Sequence, residues 1–561
     1  MPSDPVTGEI RMPEPSQAEP KASLTRATAI MSAGTAMSRV TGFLRLAVIA
    51  WAIGGAESKL PDTYNLANSM PNIVYQLVLG EILATLFVPV FVDYITTRAK
   101  DEAWRLASTI LNLAIVIATA VSVAVVLLAP WIIKIYTFRV QDAAERATQQ
   151  QVGAFFLRLL LPQMIFYAAG SVLTGLLNAH RKFAVPMFAP VLNNLIVMAT
   201  FIAFRVLHPH DIPTPETLTF ADKLLLGGGT TLGVIAMTVV LWPFVLKLKD
   251  QRYSPREFDW RNPAIKHVGR LAKFSLLYVI VNQIGLWVVF ALANGVRGGV
   301  TAYQSAFILY QLPYGIFAVS VFTALIPELS EHFVRGDTAS FRNDLSLGLR
   351  TTLFVIIPAA GGFIALSQPI VRLLLQHGVF GAGSTELFAG TFLFMSMGLA
   401  AYAVFQQLMR ASYARQDTKT PWIVNGITVA FTIAVSIPLF LWIDVRGLGL
   451  GHAASYTFAA ILATIVLRRQ IGGIDGRRVL ASAARITVAA AASSVGAWLV
   501  SRALAPSGTG PPLGPQLLQV GAAIAAGIAI YAGLAIAFRL EEFRPLLRMV
   551  SGRFSRGKAN A

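Results

Sequence analysis

Apolar residues in this chain fall into runs of about twenty to thirty positions, and most charged residues sit in the short stretches between them. A run of 18 or more apolar residues, wound as a helix, is long enough to cross the hydrocarbon core of a bilayer. The pattern predicts fourteen spans, near 28–54, 64–96, 106–135, 152–178, 184–206, 223–246, 268–294, 301–333, 344–368, 385–413, 421–443, 447–467, 480–503 and 516–538. A strand-built barrel would instead show segments of about ten residues with strict alternation. The expected fold class is therefore an all-α polytopic membrane protein.

The polar stretches orient the spans. With the N-terminus in the cytoplasm, the cytoplasmic segments hold about 29 Lys and Arg residues and the opposite side about 8. Clusters such as Arg181/Lys182, Arg468/Arg469/Arg477/Arg478 and Lys247 to Arg270 make most of this difference. Both termini are expected inside. Residues 1–25 are rich in Pro, Glu and Ser without apolar periodicity and read as a disordered tail. Residues 541–561 read as a basic cytoplasmic tail, and 249–267 as a basic, aromatic loop suited to a membrane surface.

An internal repeat organises the spans. Pro71 and Pro89 bracket span 2, and Pro313 and Pro327 bracket span 8. Span 5 opens with Pro190 and carries Asn194 four residues on, as span 11 opens with Pro421 and carries Asn425. These matches predict two pseudo-symmetric six-helix lobes, 26–248 and 268–468, with two further helices in 469–540. Repeated lobes are a transporter signature, with the substrate site between them.

Composition narrows the function. Hydrophobic residues make up 55% and charged residues 13%, and mean hydropathy is +0.62. The formal net charge is +18, but it lies in the loops, which points to anionic lipid and not to nucleic acid. There are no cysteines, which excludes disulfides, thiolate metal sites and a thiol nucleophile. His208 and His210 lack further ligands for a metal. Gly227-Gly228-Gly229 lacks the Lys-Ser/Thr of a phosphate loop and reads as close helix packing. No cofactor motif is present, so a transporter is expected and not an enzyme.

The chemistry sits in the first spans. Span 1 reads Ser38-Arg39-Val-Thr-Gly42-Phe-Leu-Arg45. A charge near mid-bilayer costs at least ~2.5 kcal/mol on insertion scales, so both arginines should face a wet cavity. Their side chains diverge by about 120°, which one wide vestibule accommodates, and Gly42 leaves room between them. Arginine's planar fork suits phosphate oxygens. A structural ion pair, such as Arg39 with Glu81, is the alternative. Glu81 fits a proton site, a gate partner or a cavity ion pair. Asp62 fits a cavity anion and equally a helix N-cap. Arg158 and Arg350 lie nearer the interfaces, where packing or snorkelling is the simpler role. Asn193, Asn194 and Asn425 suit hydrogen bonds between helices.

These segments resemble the MurJ/MviN lipid II flippases, within the multidrug/oligosaccharidyl-lipid/polysaccharide exporter superfamily. The resemblance rests on Ser38-Arg39-x-x-Gly42-x-x-Arg45, and on Asp62, Met70-Pro71-Asn72, Gly80-Glu81 and Phe87-Val88-Pro89. It also rests on Leu177 to Ala184 with Ala189-Pro190-Val191-Leu192-Asn193-Asn194, and on Tyr310 to Gly315 with Leu325-Ile326-Pro327. The resemblance implies outward movement of an undecaprenyl-linked peptidoglycan precursor in a bacterial cytoplasmic membrane, with no cofactor. Membrane lipids and cell-wall synthesis or division proteins would be partners. It implies charged positions of importance at Arg39, Arg45 and Asp62, and a lipid-tail groove on the last two helices. The chain departs from the family in lacking arginines near Tyr75/Gln76 and Phe307/Ile308, and in having Val429 where a sodium-site aspartate is usual. Lys273, Arg297 and Arg158 are the cations that could compensate. Rival readings are an exporter of another lipid-linked glycan or of drugs, a polyprenyl-phosphate glycosyltransferase, and a cell-wall scaffold without transport.

Overall fold

The computed structural model describes residues 21–80, 91, 100–248, 253–259, 263–506, 508 and 512–543, and these form helices with no strands among them. In chain order they are α1 (Lys21–Ile53), α2 (Leu60–Tyr75), α3 (Lys100–Tyr136), α4 (Ala143–Leu160), α5 (Gln163–Ala179), α6 (Ala184–Leu207), α7 (Phe220–Val239), α8 (Trp242–Leu246) and α9 (Pro263–Ala293). Then follow α10 (Gly299–Pro313), α11 (Val319–Val334), α12 (Thr338–Leu375), α13 (Ala382–Ser396), α14 (Leu399–Ala414), α15 (Lys419–Ile471), α16 (Gly476–Ala503) and α17 (Leu513–Ala537).

Local chemistry sets the helix starts. Pro61 opens α2, where its missing N–H costs nothing. The Asp142 carboxylate accepts from the Ala144 and Glu145 amides at the start of α4. Thr219 and Asp222 form a capping box on α7. Gly298, at φ 74°, turns the chain into α10 in a conformation that favours glycine.

Ten of the described helices are long and apolar enough to cross a membrane, or eleven if the bent pair α13–α14 is one span. The protein is a multi-pass membrane protein. The sequence pattern predicted fourteen spans, and the difference has local causes. Span 64–96 runs into residues outside the described set, and in α9, which covers span 268–294, the side chains are described only from Leu277 on, leaving the shorter apolar helix Leu277–Ala293. Spans 421–443 and 447–467 run as one element, α15, broken where Ile443 and Asp444 leave helical geometry. Two boundaries also differ from the pattern. Helix α1 begins at Lys21, inside the expected tail, and α4 begins at Ala143 and not near 152.

The halves repeat the same pairings. Helix α1 packs on α6 as α9 packs on α15, α2 on α4 as α10 on α13, and α3 on α5 as α12 on α14. A single π-helical turn follows the proline in each lobe's second helix, Gln76–Gly80 after Pro71 and Tyr314–Ala318 after Pro313. Proline removes one backbone hydrogen bond, and a π turn is a common way to absorb the misfit. Gly227 and Gly229 lie two turns into α7 and not at its start. Side chains there would collide with Leu159 and Thr200, so these glycines allow close packing.

Helices α16 and α17 pack on each other and on α12. Arg350 of α12, 6% exposed, pairs with Glu541 and Glu542, both at 3.1 Å, and Arg478 also holds Glu541. The first residues of the expected basic tail are thus pinned to the bundle. Hydrogen bonds from Arg478 and Arg350 hold the Glu541 carboxyl below its ordinary pKa. Tyr253, Ser254 and Glu257 of the loop between the halves are tied to Asn112 of α3, so this part of the loop is docked.

Candidate functional site

The first arginine pair does not act as one unit. Arg45 lines a cavity of about 580 Å³ at the centre of the molecule. Both halves build it: α1, α2, α5, α6 and α7 on one side, α9, α10 and α15 on the other. Gly42 lines it too, one turn from Arg45. Around Arg45 the wall is amide-rich, with Asn65, Asn68, Asn72, Gln76 and Asn193. Amides donate to oxygen acceptors without adding charge. No carboxylate of the described residues pairs with Arg45, whose head therefore faces the cavity free of a counter-ion among them.

Arg39 sits outside the cavity lining. Its guanidinium lies against Gly315 in the π turn of the other half, where a methyl group would come within 2.8 Å of its nitrogens. Arg39 thus bridges the halves beyond the cavity, on the side of the basic loops. The Ser38 carbonyl accepts from Asn194, which also bonds Thr41 and ties α1 to α6. Sequence reasoning placed Asn194 in this kind of contact.

Asp62 is fully buried at the opposite end. It accepts from the Gly298 amide at 2.8 Å and from the Thr301 amide and hydroxyl at 3.0 and 2.9 Å. It therefore caps α10, a helix of the other half. Lys59 stands 3.4 Å from it and donates to the carbonyls of Asn294 and Val296, at the end of α9. One buried pair thus caps the start of α10 and ties down the turn that follows α9. The sequence offered a cap for Asp62's own helix, but the cap is made across the interface. Lys59 was missed, because nothing in Lys59-Leu-Pro-Asp62 shows that a hairpin 235 residues away would dock there.

More bonds seal this end. Glu57 accepts from the Gly381 amide and the Ser384 hydroxyl, both at 2.6 Å. Asn294 exchanges bonds with Gln149 and donates to the Tyr136 carbonyl. Arg297 pairs with Glu145 at 2.7 Å but is 62% exposed, and it does not line the cavity. Further hydrogen bonds join the halves from this end down to the mid-depth pair Gln76–Gln283: Ala56 to Ser384, Asn65 to Thr301 and Gln304 to Ser69. Arg158 is exposed on α4 and lies away from the cavity. Glu81 and the side chain of Lys273 lie outside the described residues. His208, considered for a metal, instead bonds Asp222 at 2.8 Å.

Residues 50–510 match the family described as lipid II flippase MurJ. The chain belongs to the lipid II flippase MurJ family. It is 27% identical over 529 residues to the probable lipid II flippase MurJ of Rhizobium meliloti (strain 1021), covering 92% of this chain and 94% of that protein. It is also 27% identical over 462 residues to the lipid II flippase MurJ of Burkholderia cenocepacia, covering 80% and 84%. A solved structure titled lipid II flippase MurJ, inward closed conformation, superposes with a TM-score of 0.71 at 22% identity, covering 93% of this chain and all of that one. An inward-facing multidrug transporter of the MATE family superposes at 0.63 with 12% identity, covering 77% and 95%. As a MurJ-family member the chain is a transporter and not an enzyme. The shared fold accounts for a cavity between two halves, while the residues around Arg45 give that cavity its chemistry.

Proposed function

We propose that this protein carries lipid II, the undecaprenyl-pyrophosphate-linked peptidoglycan precursor, from the inner to the outer leaflet of the bacterial cytoplasmic membrane, with both termini in the cytoplasm. The observation that carries the reading is one cavity between two halves, holding an arginine unpaired among the described residues and sealed at the end away from the basic loops. Arg45 binds the pyrophosphate, with the neighbouring amides as further donors and Gly42 leaving room for approach. Arg39 and Ser38 stand on the path from the cytoplasmic side. Asp62 holds the outer seal and is exchanged for solvent or cargo when the halves part. Glu81 and Lys273 are proposed as cavity contacts, and Arg158 and Arg297 as accessory cations. The lipid tail stays in the bilayer, along the apolar surface of α16 and α17.

Alternating access then needs only the break of one seal and the closure of the other. An interior-negative potential favours outward movement of the anionic headgroup by ~2.3 kcal/mol per charge per 100 mV. The test is complementation of a flippase-depleted bacterium, scored by the accessibility of labelled lipid II in the outer leaflet. Restored exposure by the intact chain, lost with Arg45→Ala, is the expected result. Survival and lipid II exposure unchanged by Arg45→Ala would refute the pyrophosphate assignment and favour a drug cargo.

A further inference from the structure

Across the cavity from Arg45 the wall changes character. His452 of α15 lines the cavity, yet is only 6% exposed. Its Nδ1 lies 3.3 Å from the Tyr303 hydroxyl, and its Nε2 is buried without any hydrogen-bond partner. Five aromatic rings surround the imidazole: Tyr456 at 4.7 Å between centroids, Tyr310 at 5.1 Å, Phe307 at 5.7 Å, and Tyr303 and Tyr402 at 6.4 Å. The Tyr310 hydroxyl is likewise buried and unpartnered. Buried polar atoms are nearly always paired, so two orphans in one cluster beside a transport cavity call for an explanation.

Titratable groups approach His452 from three helices. Tyr303 and Tyr310 come from α10, Tyr402 from α14 and Tyr456 from its own helix, while Tyr278 of α9 lies within electrostatic reach of Tyr456. Arg410 of α14 reaches Tyr314 and Tyr402 of this wall, and Arg45 lines the same cavity. No carboxylate among the described residues contacts the cluster. Ring faces attract a cation, but they do not replace the water a buried ion loses. A proton on this ring therefore disfavours the arrangement in which the cavity is narrow toward the basic loops and water is kept from this wall. When the halves part, water reaches the wall, and imidazole takes up protons near neutral pH. A ligand that binds one conformation better shifts the equilibrium toward it.

We propose that His452 and its aromatic surround form a proton-binding site that couples proton uptake to widening of the cavity. This rests on the transport reading above, but its test needs no cargo. The chain has no cysteine, so Lys182→Cys and Val334→Cys, both exposed at the end bearing the basic loops, give a unique spin-label pair across the halves. The full chain is placed in lipid nanodiscs and the label distance followed from pH 8 to pH 5.5. The ratio of wide to narrow molecules should rise about tenfold on acidification, within the usual range of such couplings. His452→Gln should abolish the response. A second variant with the other six histidines changed to Gln, leaving His452 alone, should keep it. A wild-type distance indifferent to pH, a response that survives in His452→Gln, or its loss from the single-histidine variant overturns the proposal. Failure of lipid II exposure alongside an intact pH response would sink the cargo assignment alone.

Discussion

Helices α2 and α10 hold matching places in the two halves and carry the same proline and π turn, yet they bring opposite chemistry to the cavity. Helix α2 contributes Asn65, Asn68 and Asn72, and its first turn holds the buried Asp62. Helix α10 contributes Tyr303, Gln304 and Phe307. The repeated backbone supplies two facing walls, and their side chains differ. One wall presents amide donors suited to an oxygen-rich anion. The other is aromatic and holds a single imidazole. A transporter with two identical walls would bind its cargo equally at every stage. Unlike walls allow the affinity to change as they separate.

The largest effect expected from breaking this arrangement lies at the start of α2. Asp62→Ala leaves Lys59 buried without its partner and uncaps α10, a loss of about 3–5 kcal/mol by thermal unfolding. A double replacement, Lys59→Met with Asp62→Leu, should recover much of that loss, since an apolar pair of similar volume leaves no buried charge. A double variant no more stable than Asp62→Ala would mean that capping, and not the uncompensated charge, dominates. Next comes the amide-lined wall. Arg45→Ala should lower lipid II movement about 10- to 100-fold, the value of one or two charge-assisted hydrogen bonds, with stability nearly unchanged. Arg45→Lys should restore only part, because a point charge lacks the fork. A smaller effect is expected at the aromatic half's π turn. Gly315→Ala forces the Arg39 guanidinium to move and should slow transport a few-fold, at a stability cost of about 1 kcal/mol or less. If Gly315→Ala reduces transport as strongly as Arg45→Ala, Arg39 belongs to the binding site and not to the path toward it.

The smallest effect lies away from both walls. The folded pKa of Glu541 is depressed by hydrogen bonds from Arg478 and Arg350. Its contribution to stability is therefore present above the ordinary glutamate pKa and lost as pH falls through the folded value. Glu541→Gln should lower the melting temperature slightly at pH 7 and leave it unchanged near pH 3. The side chain is 65% exposed, and solvent screens the pair. A large change at pH 7 would place the anchoring of α16 and α17 at Glu541, not at the buried Glu542.

Much of this was legible in the sequence because the bilayer imposes simple rules. Apolar runs gave the helices, and arginines too costly to face lipid pointed to a cavity. Arg45, half-buried, lines such a cavity, whereas Arg39 does not. Arg350 was read as a packing residue, and its carboxylate partners came from beyond the last span. What escaped was whatever depended on the approach of distant segments. Lys59 has no local signal, and its partners belong to a hairpin more than 230 residues away. His452 sits in Gly451-His452-Ala453, a small-residue stretch with nothing to mark it. Its meaning comes from four tyrosines and a phenylalanine converging from α10, α14 and α15.

The sequence by itself therefore determined the helices, their environment and the presence of a charged site, because hydrophobic period and the cost of intramembrane charge are properties of single segments. Only the tertiary structure decided that Arg45 faces the cavity while Arg39 bridges the halves. The two stand six residues apart on one helix, so their side chains point different ways. Which one meets open space depends on the helix opposite, and that is set by how the two repeats pack.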